Sequence, residues 1–405
     1  MKPRASPPKS SISSLRNRVS KSNQDPGENH RRITPAPPFG QSFPYSSADL
    51  EGFRLIPTID IQPLFTSDSD ELARIDQTIY RAAHQSGFMV ITGAPHQTEL
   101  GPDRRQSMLR LFTLPAEEQR KLWKKNFEPK NPNLYRGWFP LHSADSFRRE
   151  GFEIGPDCLR PLPQLAVPDL LYEPSVFPPK NLLPDWAAHV ADFYRAMEHI
   201  GNVLMASISR SLGISESIFS NAFQDGISTL RLLRYPERGV PQHTAANEPS
   251  AFIRHQQQNF EIVCGAHVDT GLVTLLADCD VPGLQAQTQS GDWLDVEIPE
   301  GGFAVNFGGL LSRWTGQRLR ATRHRVLSAG PERFSIPFFF EPRPDTLIMP
   351  LPIPNIKPFK PFLFGDYLWD KTTQFYENYG LEHLRPAHPD YQDPWASSVM
   401  VKDRT

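Results

Sequence analysis

Apolar residues along this chain show two textures, with a break near residue 228. Before the break the spacing is mostly helical. Glu71 to Gln85 carries Leu72, Ile75, Ile79 and Ala82 or Ala83 at steps of three and four, which predicts an amphipathic helix. Gly87 stands just past its end, as a helix stop would. Pro184 to Leu212 predicts the clearest helix, with Phe193, Met197, Ile200, Leu204, Ile208 and Leu212 as a core-facing spine. A further helix opens at Pro115: Glu117 and Glu118 lie in its first turn and Lys121, Lys124 and Lys125 later, matching the helix dipole. Two short strands are expected beside these helices, Ile56 to Ile61 with Pro57 at an edge, and Phe88 to Thr92. Residues 126–183 are rich in Pro, Gly and aromatics and read as a long irregular region.

After the break, short β-rich runs dominate: Leu230 to Leu233, Glu261 to Cys264, Leu272 to Leu276, Gly302 to Phe307, His324 to Leu327 and Ser335 to Phe340. Turns bearing Gly and Pro separate them, a pattern that fits a sandwich or barrel, including a jelly roll. The polar stretch between Pro236 and His267 carries His243, His255 and Gln256 to Gln258. It reads as a surface loop, or else as part of a substrate lid. A Pro-rich tail from Pro342 regains a helical pattern near Asp366 to Tyr379, and its aromatics (Phe359, Phe362, Phe364, Tyr367, Trp369) read as core packing. The chain therefore divides into a disordered tail (1–54), a mixed helix and strand region (55–225), a β core (226–345) and a C-terminal extension (346–405). The expected class is α+β with a mainly β core.

Composition narrows the function classes. The hydrophobic fraction is 39% over 405 residues, and the deficit lies in the first 55. That tail is rich in Ser, Pro, Lys and Arg, with Asp25 its first acid, and reads as solvated chain. It has no apolar core of a secretory signal, and Pro3, Pro7 and Pro8 oppose the amphipathic helix of an organelle-targeting peptide. A net charge of -2 gives no reason to expect nucleic acid or an anionic membrane as partner. No apolar run approaches the ~20 residues of a membrane span. Cys158, Cys264 and Cys279 form no CxxC pair and read as buried apolar thiols in a reducing cytoplasm.

His267, Asp269 and His324 carry the candidate chemistry. Two imidazoles and one carboxylate suit a non-haem Fe(II) that keeps three coordination positions open, whereas a structural zinc takes four protein ligands. Spaced two apart on a strand, His267 and Asp269 would share a face, with His324 arriving from a partner strand across the barrel. A second His-x-Asp, His388 to Asp390, lies in the Pro-rich tail with no later His before residue 405 and reads as a surface turn. Arg333 and Ser335 are also two apart on a strand, reached by a hairpin through Gly330 and Pro331. A guanidinium fork with an adjacent hydroxyl grips a carboxylate. Beside a metal, the pair suits a short dicarboxylate with an α-keto acid at its other end, which describes 2-oxoglutarate.

In order along residues 55–345, the chain resembles the isopenicillin N synthase-like, 2-oxoglutarate- and Fe(II)-dependent dioxygenases. The resemblance rests on Ile56-Pro-Thr-Ile-Asp60, Ala82-Ala-His-Gln-Ser-Gly-Phe88, Tyr135-Arg-Gly-Trp138, Glu150-Gly-Phe-Glu153 and Leu230-Arg-Leu-Leu-Arg-Tyr-Pro236. It continues through Gly265-Ala-His-Val-Asp-Thr-Gly271, Asn306-Phe-Gly308, Trp314-Thr315 and His324-Arg-Val326. It implies a double-stranded β-helix, or jelly roll, with an N-terminal helical region packed around it. It implies Fe(II) on His267, Asp269 and His324, and 2-oxoglutarate held by Arg333 and Ser335 with help from Tyr235. The implied reaction consumes O2, releases succinate and CO2, and hydroxylates or desaturates a small organic metabolite, with ascorbate as reductant and a monomer as the working form. Gly309 stands where Asp is common in the family, and Leu233-Arg234 replaces the Asn-Tyr of many plant members. Two alternatives stay open: a 2-oxoglutarate-independent Fe(II) oxidase, as isopenicillin N synthase is, and a non-catalytic jelly-roll binding protein.

Overall fold

Two-residue alternation along the strands decides the architecture. In the computed structural model, which describes residues 56–66, 69–141, 149–237, 252–277 and 281–396, the strand Thr229–Tyr235 sends Leu230 and Leu232 to one side and Thr229, Arg231, Leu233 and Tyr235 to the other. Its neighbours do the same. Phe338 and Phe340, Val273 and Leu275, and Phe303, Val305 and Phe307 join the core that packs on the helices. Phe339, Thr274, Leu276 and Asn306 face a cavity. These strands belong to a nine-stranded sheet in the order Thr58–Asp60, Phe88–Thr92, Phe303–Phe307, Val273–Ala277, Pro337–Phe340, Thr229–Tyr235, Glu150–Ile154, Gly137–Phe139, with Arg333–Ser335 also paired to Thr229–Tyr235. All pairs are antiparallel except the first.

A five-stranded antiparallel sheet faces the inner side, in the order Trp293–Asp295, Leu284–Gln287, His324–Ser328, Gln258–His267, Phe252–His255. Its Val263, Cys264, Leu284, Ala286 and Val326 form a second apolar cluster with Phe88, Val90, Phe139, Leu233 and Tyr235 of the larger sheet. Two curled sheets closing on a shared interior make the jelly roll that the β texture implied.

Behind the larger sheet runs the helix Trp186–Leu212, and all six residues of the expected spine are buried. Gly201 sets its distance: a Cβ there would lie 2.8 Å from the Phe340 ring. Tyr194, on the same helix, packs edge-on to Phe338 and donates its hydroxyl to Ser228 O. The helix Ser69–Gln85 buries Ile75, Ile79, Ala82 and Ala83 as its spacing required, and Ala116–Lys121 forms the short helix after Pro115.

Several expectations are corrected. Residues 126–183 are not wholly irregular: Gly137–Phe139 and Glu150–Ile154 are strands, buried at every position, that widen the larger sheet. Buried on both faces, they lack the alternation that marks a half-exposed strand. The stretch after Pro236 is not simply a loop. Phe252–His255 and Gln258–His267 make a hairpin on the edge of the smaller sheet, turned at Gln256 and Gln257, both with positive φ. The run Ser335 to Phe340 is two strands, Arg333–Ser335 and Pro337–Phe340, broken at Ile336. The C-terminal helix is Phe364–Thr372, and Phe362, Phe364, Tyr367 and Trp369 are buried as core. Cys158 and Cys264 are free thiols: Cys158 is only half-buried, whereas Cys264 is buried in the second apolar cluster, 3.7 Å from His267 Nδ1. The 1–54 tail, His243 and Cys279 lie outside the described residues. No helix among the described residues is long and apolar enough to cross a membrane.

Gly201→Val is expected to destabilise the fold by about 1–3 kcal/mol through overpacking against Phe340. A denaturant midpoint no lower than wild type would show that helix and sheet do not meet there.

Candidate metal and cosubstrate site

His267 ends its strand and His324 begins the neighbouring one, and antiparallel register sets the two residues opposite each other. They are therefore adjacent in the smaller sheet, not on strands across the barrel from each other as expected. Their ring centroids are 4.3 Å apart. One step along, the pairing skips from His267 to Cys264 against His324 to Val326, a β-bulge at Gly265 and Ala266. Bulges of this kind bend a strand and re-aim a side chain. Asp269 lies two residues beyond the strand end, and its Oδ1 is 3.5 Å from His267 Nε2 and 3.6 Å from His324 Nε2. The three ligand atoms fall within 4.8 Å of one another, and no other His, Cys, Asp or Glu group does so among the described residues. His388 and Asp390 are exposed on the surface: Asp390 N donates to His388 Nδ1, while His388 N donates to Asp366 and Asp390 O accepts from Lys360.

Hydrogen bonds fix the orientation of all three side chains. His267 Nδ1 donates to Gly265 O at 2.8 Å, and His324 Nδ1 donates to Thr322 O at 3.2 Å. Because a carbonyl only accepts, each Nε2 keeps its lone pair for the centre. Asp269 Oδ2 accepts from Thr274 Oγ1 and, at 2.7 Å, from Asn306 Nδ2, which leaves Oδ1 turned inward. Burial would raise the Asp269 pKa, but His324, His267 and the Asn306 donor outweigh it and hold the carboxyl well below the usual range. Burial lowers the His324 pKa against the pull of Asp269, in the direction of the neutral form that a metal takes. A hard carboxylate, two neutral-capable imidazoles and open space on one side fit Fe(II). Thr274 and the role of Asn306 were not read from the sequence; only the Asn-x-Gly resemblance pointed to the latter.

Arg333 pairs in register with Tyr235, and Ser335 with Leu233. His324–Ser328 and Arg333–Ser335 lie in different sheets, so Gly330 and Pro331 carry the chain between sheets rather than round a hairpin. The crossing still delivers Ser335 to the interior that holds His324. Ser335 and Tyr235 line the same cavity of about 220 Å³ as His267, Asp269 and His324. Arg333 is 1% exposed, with its guanidinium carbon 5.7 Å from the centre of the Tyr235 ring.

A buried ionic network, unseen in the sequence, forms another wall of the cavity. Glu153 takes Lys124 on one oxygen and Arg231 on the other, Arg231 reaches Glu377 at 3.2 Å, and Arg149 lies 3.9 Å from Glu377. Arg149 also hydrogen-bonds Tyr235. Burial would raise the Glu153 pKa, but Lys124 and Arg231 overcome it and bring it down to about 2. Inward positions on a strand admit charge only when it is paired in this way. Arg234, on the opposite face of its strand, binds Glu150 and Glu332 instead.

Comparison with known proteins agrees with this geometry. Residues 229–342 match the 2OG-Fe(II) oxygenase superfamily, and residues 56–180 match the N-terminal region of the non-haem dioxygenases of morphine synthesis. The chain belongs to the 2-oxoglutarate–Fe(II) oxygenase superfamily. It is a 2-oxoglutarate-dependent dioxygenase, with Fe(II) and 2-oxoglutarate as its cofactor and cosubstrate. Among curated relatives, the 2-oxoglutarate-Fe(II) type oxidoreductase hxnY of Emericella nidulans is 29% identical over 73% of this chain and 82% of that protein. Isopenicillin N synthase of Streptomyces clavuligerus is 28% identical over 73% and 87%. A full-length Neurospora crassa protein, solved in complex with alpha-KG, superposes with TM-score 0.61 at 25% identity, covering 78% of this chain and 95% of that one.

Asn306→Ala and Thr274→Val are each expected to weaken metal binding by about 10- to 100-fold, because the Asp269 carboxylate loses its anchor. Calorimetric titration with Fe(II) under nitrogen measures this. Wild-type affinity in both variants would remove that layer from the account.

Proposed function

We propose that His267, Asp269 and His324 hold the Fe(II), and that Arg333 and Ser335, with Tyr235, hold the distal carboxylate of 2-oxoglutarate, for oxidation of a small organic metabolite. The observation that carries this reading is the convergence of the triad, Ser335 and Tyr235 on one cavity, with the buried Arg333 packed behind Tyr235. The metal, when bound with 2-oxoglutarate, supplies O2 activation, with succinate and CO2 released and a substrate C–H oxidised.

The chain's own residues supply everything else. Asn306 and Thr274 orient Asp269, and Gly265 O and Thr322 O orient the imidazoles. Arg333, desolvated and backed by a strand, offers a fixed fork to a carboxylate at low reorganisation cost. Leu276, Leu284, Val326 and Phe88 keep water from the space between. Leu368, Thr372 and Phe375, from the C-terminal segment, close the side where substrate would enter. The Neurospora crassa protein has been solved with thymine, and JOX2 with 2OG, Fe and JA; their small-molecule ligands support a small-molecule substrate here. The working form would be a cytoplasmic monomer, with ascorbate keeping the iron reduced.

With iron-loaded protein, succinate is expected in step with O2 consumed, and Arg333→Ala is expected to raise the KM for 2-oxoglutarate by about 10- to 100-fold, as loss of a charged hydrogen-bond pair does. Product formation without succinate would favour the isopenicillin N synthase type of reaction, with Arg333 serving a substrate carboxylate.

A further inference from the structure

One carboxyl in the cavity has no part in the chemistry above. Glu341 directly follows the strand Pro337–Phe340, is 5% exposed and lines the cavity with the triad. Its Oε2 is buried without a hydrogen-bond partner. The contrast with Glu153 is direct, since that acid has a cation on each oxygen. A buried acid kept for stability is bonded; one left open costs stability and calls for a functional explanation.

The sequence around Glu341 makes room for it. A Cβ on Gly271 would lie 2.0 Å from Glu341 Oε1, so the glycine is what lets the carboxyl reach the cavity wall. Gly271 follows Asp269 by two residues, which puts Glu341 beside the metal position. Thr229, Tyr135, Leu368, Thr372 and Phe375 line the same cavity.

Chemistry then narrows what the carboxyl could bind. Burial, with the charge of Asp269, pushes Glu341 up to about 8 against the pull of Arg136. A metal on Asp269 would offset the second cause and leave the first, which is larger. A neutral acid presents an O–H donor beside a carbonyl acceptor. A cationic ligand would need the ionised form, and would enter a cavity whose ionic wall already sets Lys124, Arg231 and Arg149 against Glu153 and Glu377. A carboxylate ligand would face both Glu341 and Asp269.

We propose that Glu341 is the recognition group for the substrate, and that the substrate offers it an amide-type edge, an N–H beside a C=O, as in a lactam, an imide or a primary carboxamide. The N–H donates to one carboxyl oxygen and the acid O–H donates to the substrate carbonyl. This rests on the dioxygenase reading, because it takes the cavity beside the triad as the substrate site. The pair of bonds fixes the substrate in the plane of the carboxyl and brings its neighbouring carbon toward the metal.

The test is calorimetric titration of the Fe(II)- and 2-oxoglutarate-loaded protein under nitrogen with 2-pyrrolidone, 2-pyridone and uracil, their N-methyl derivatives, and pyrrolidine as an ammonium probe. At least one N–H probe should bind, with its fully N-methylated form at least about tenfold weaker. Glu341→Leu should weaken that probe by at least about tenfold, and Glu341→Gln by no more than about threefold, since glutamine also offers a donor beside an acceptor. Without ligand, Glu341→Leu should melt no lower than wild type, because it removes an unsatisfied buried polar group. The proposal is overturned if no N–H probe binds, if methylation makes no difference, if Glu341→Leu binds like wild type or melts markedly lower, or if pyrrolidine binds in preference and both variants lose it. Failure of the wild-type protein to bind 2-oxoglutarate at all, measured first, would instead overturn the dioxygenase reading.

Discussion

The register between the strands Gln258–His267 and His324–Ser328 is the constraint on which the site depends. It sets His267 against His324 and places a bulge beside them. Because side chains alternate faces along a strand, a slip of one residue would turn one imidazole away from the other. Asp269 reaches the same point only because it lies past the strand end, where Thr274 and Asn306 can hold one oxygen and leave the other free. Those two residues come from the opposite sheet. The metal position is thus a point where the two sheets are tied together, and its precision is inherited from both.

The larger sheet serves two solvents. Its outer face is apolar and packs on the helix Trp186–Leu212 within the larger of the two apolar clusters. Its inner face carries Arg231, Tyr235, Thr274, Asn306 and Ser335, polar groups that water would otherwise claim. Their burial is tolerated because most are bonded in pairs or networks. Strand alternation lets one sequence meet both demands without conflict, and it places the reactive interior on a rigid wall rather than on loops.

The long helices and the inner strands were legible, since Ile75, Ile79, Met197 and Leu204 follow helical steps and Leu272 to Leu276 is a β-rich apolar run between turns. The triad was legible because His267, Asp269 and His324 have few other reasons to stand beside β runs, and Arg333 with Ser335 supplied an independent anion site. Gly137–Phe139 and Glu150–Ile154 were hidden, because Gly and Glu interrupt their apolar character within a Pro- and Gly-rich stretch, whereas the equally buried Phe303–Phe307 has a nearly continuous apolar run. The adjacency of His267 and His324 was hidden too, since strand order is a long-range property. Lys124, Glu153, Arg231 and Glu377 are scattered along the chain, and a charge network assembled by folding leaves no local pattern. Glu341 falls in the same class: an acid after an apolar strand reads as a strand end until Gly271 is seen to make room for it.

The central claim is that the triad and the Arg333 pocket bind the two ends of one molecule. Equilibrium binding of 2-oxoglutarate under nitrogen, measured with and without Fe(II) in wild type, Asp269→Ala and Arg333→Ala, tests it directly. Tight binding is expected only in wild type with metal. Asp269→Ala should remove the metal dependence, and Arg333→Ala should keep the metal while losing at least about tenfold in 2-oxoglutarate affinity. Metal-independent binding in wild type, or full affinity after loss of Arg333, would contradict it.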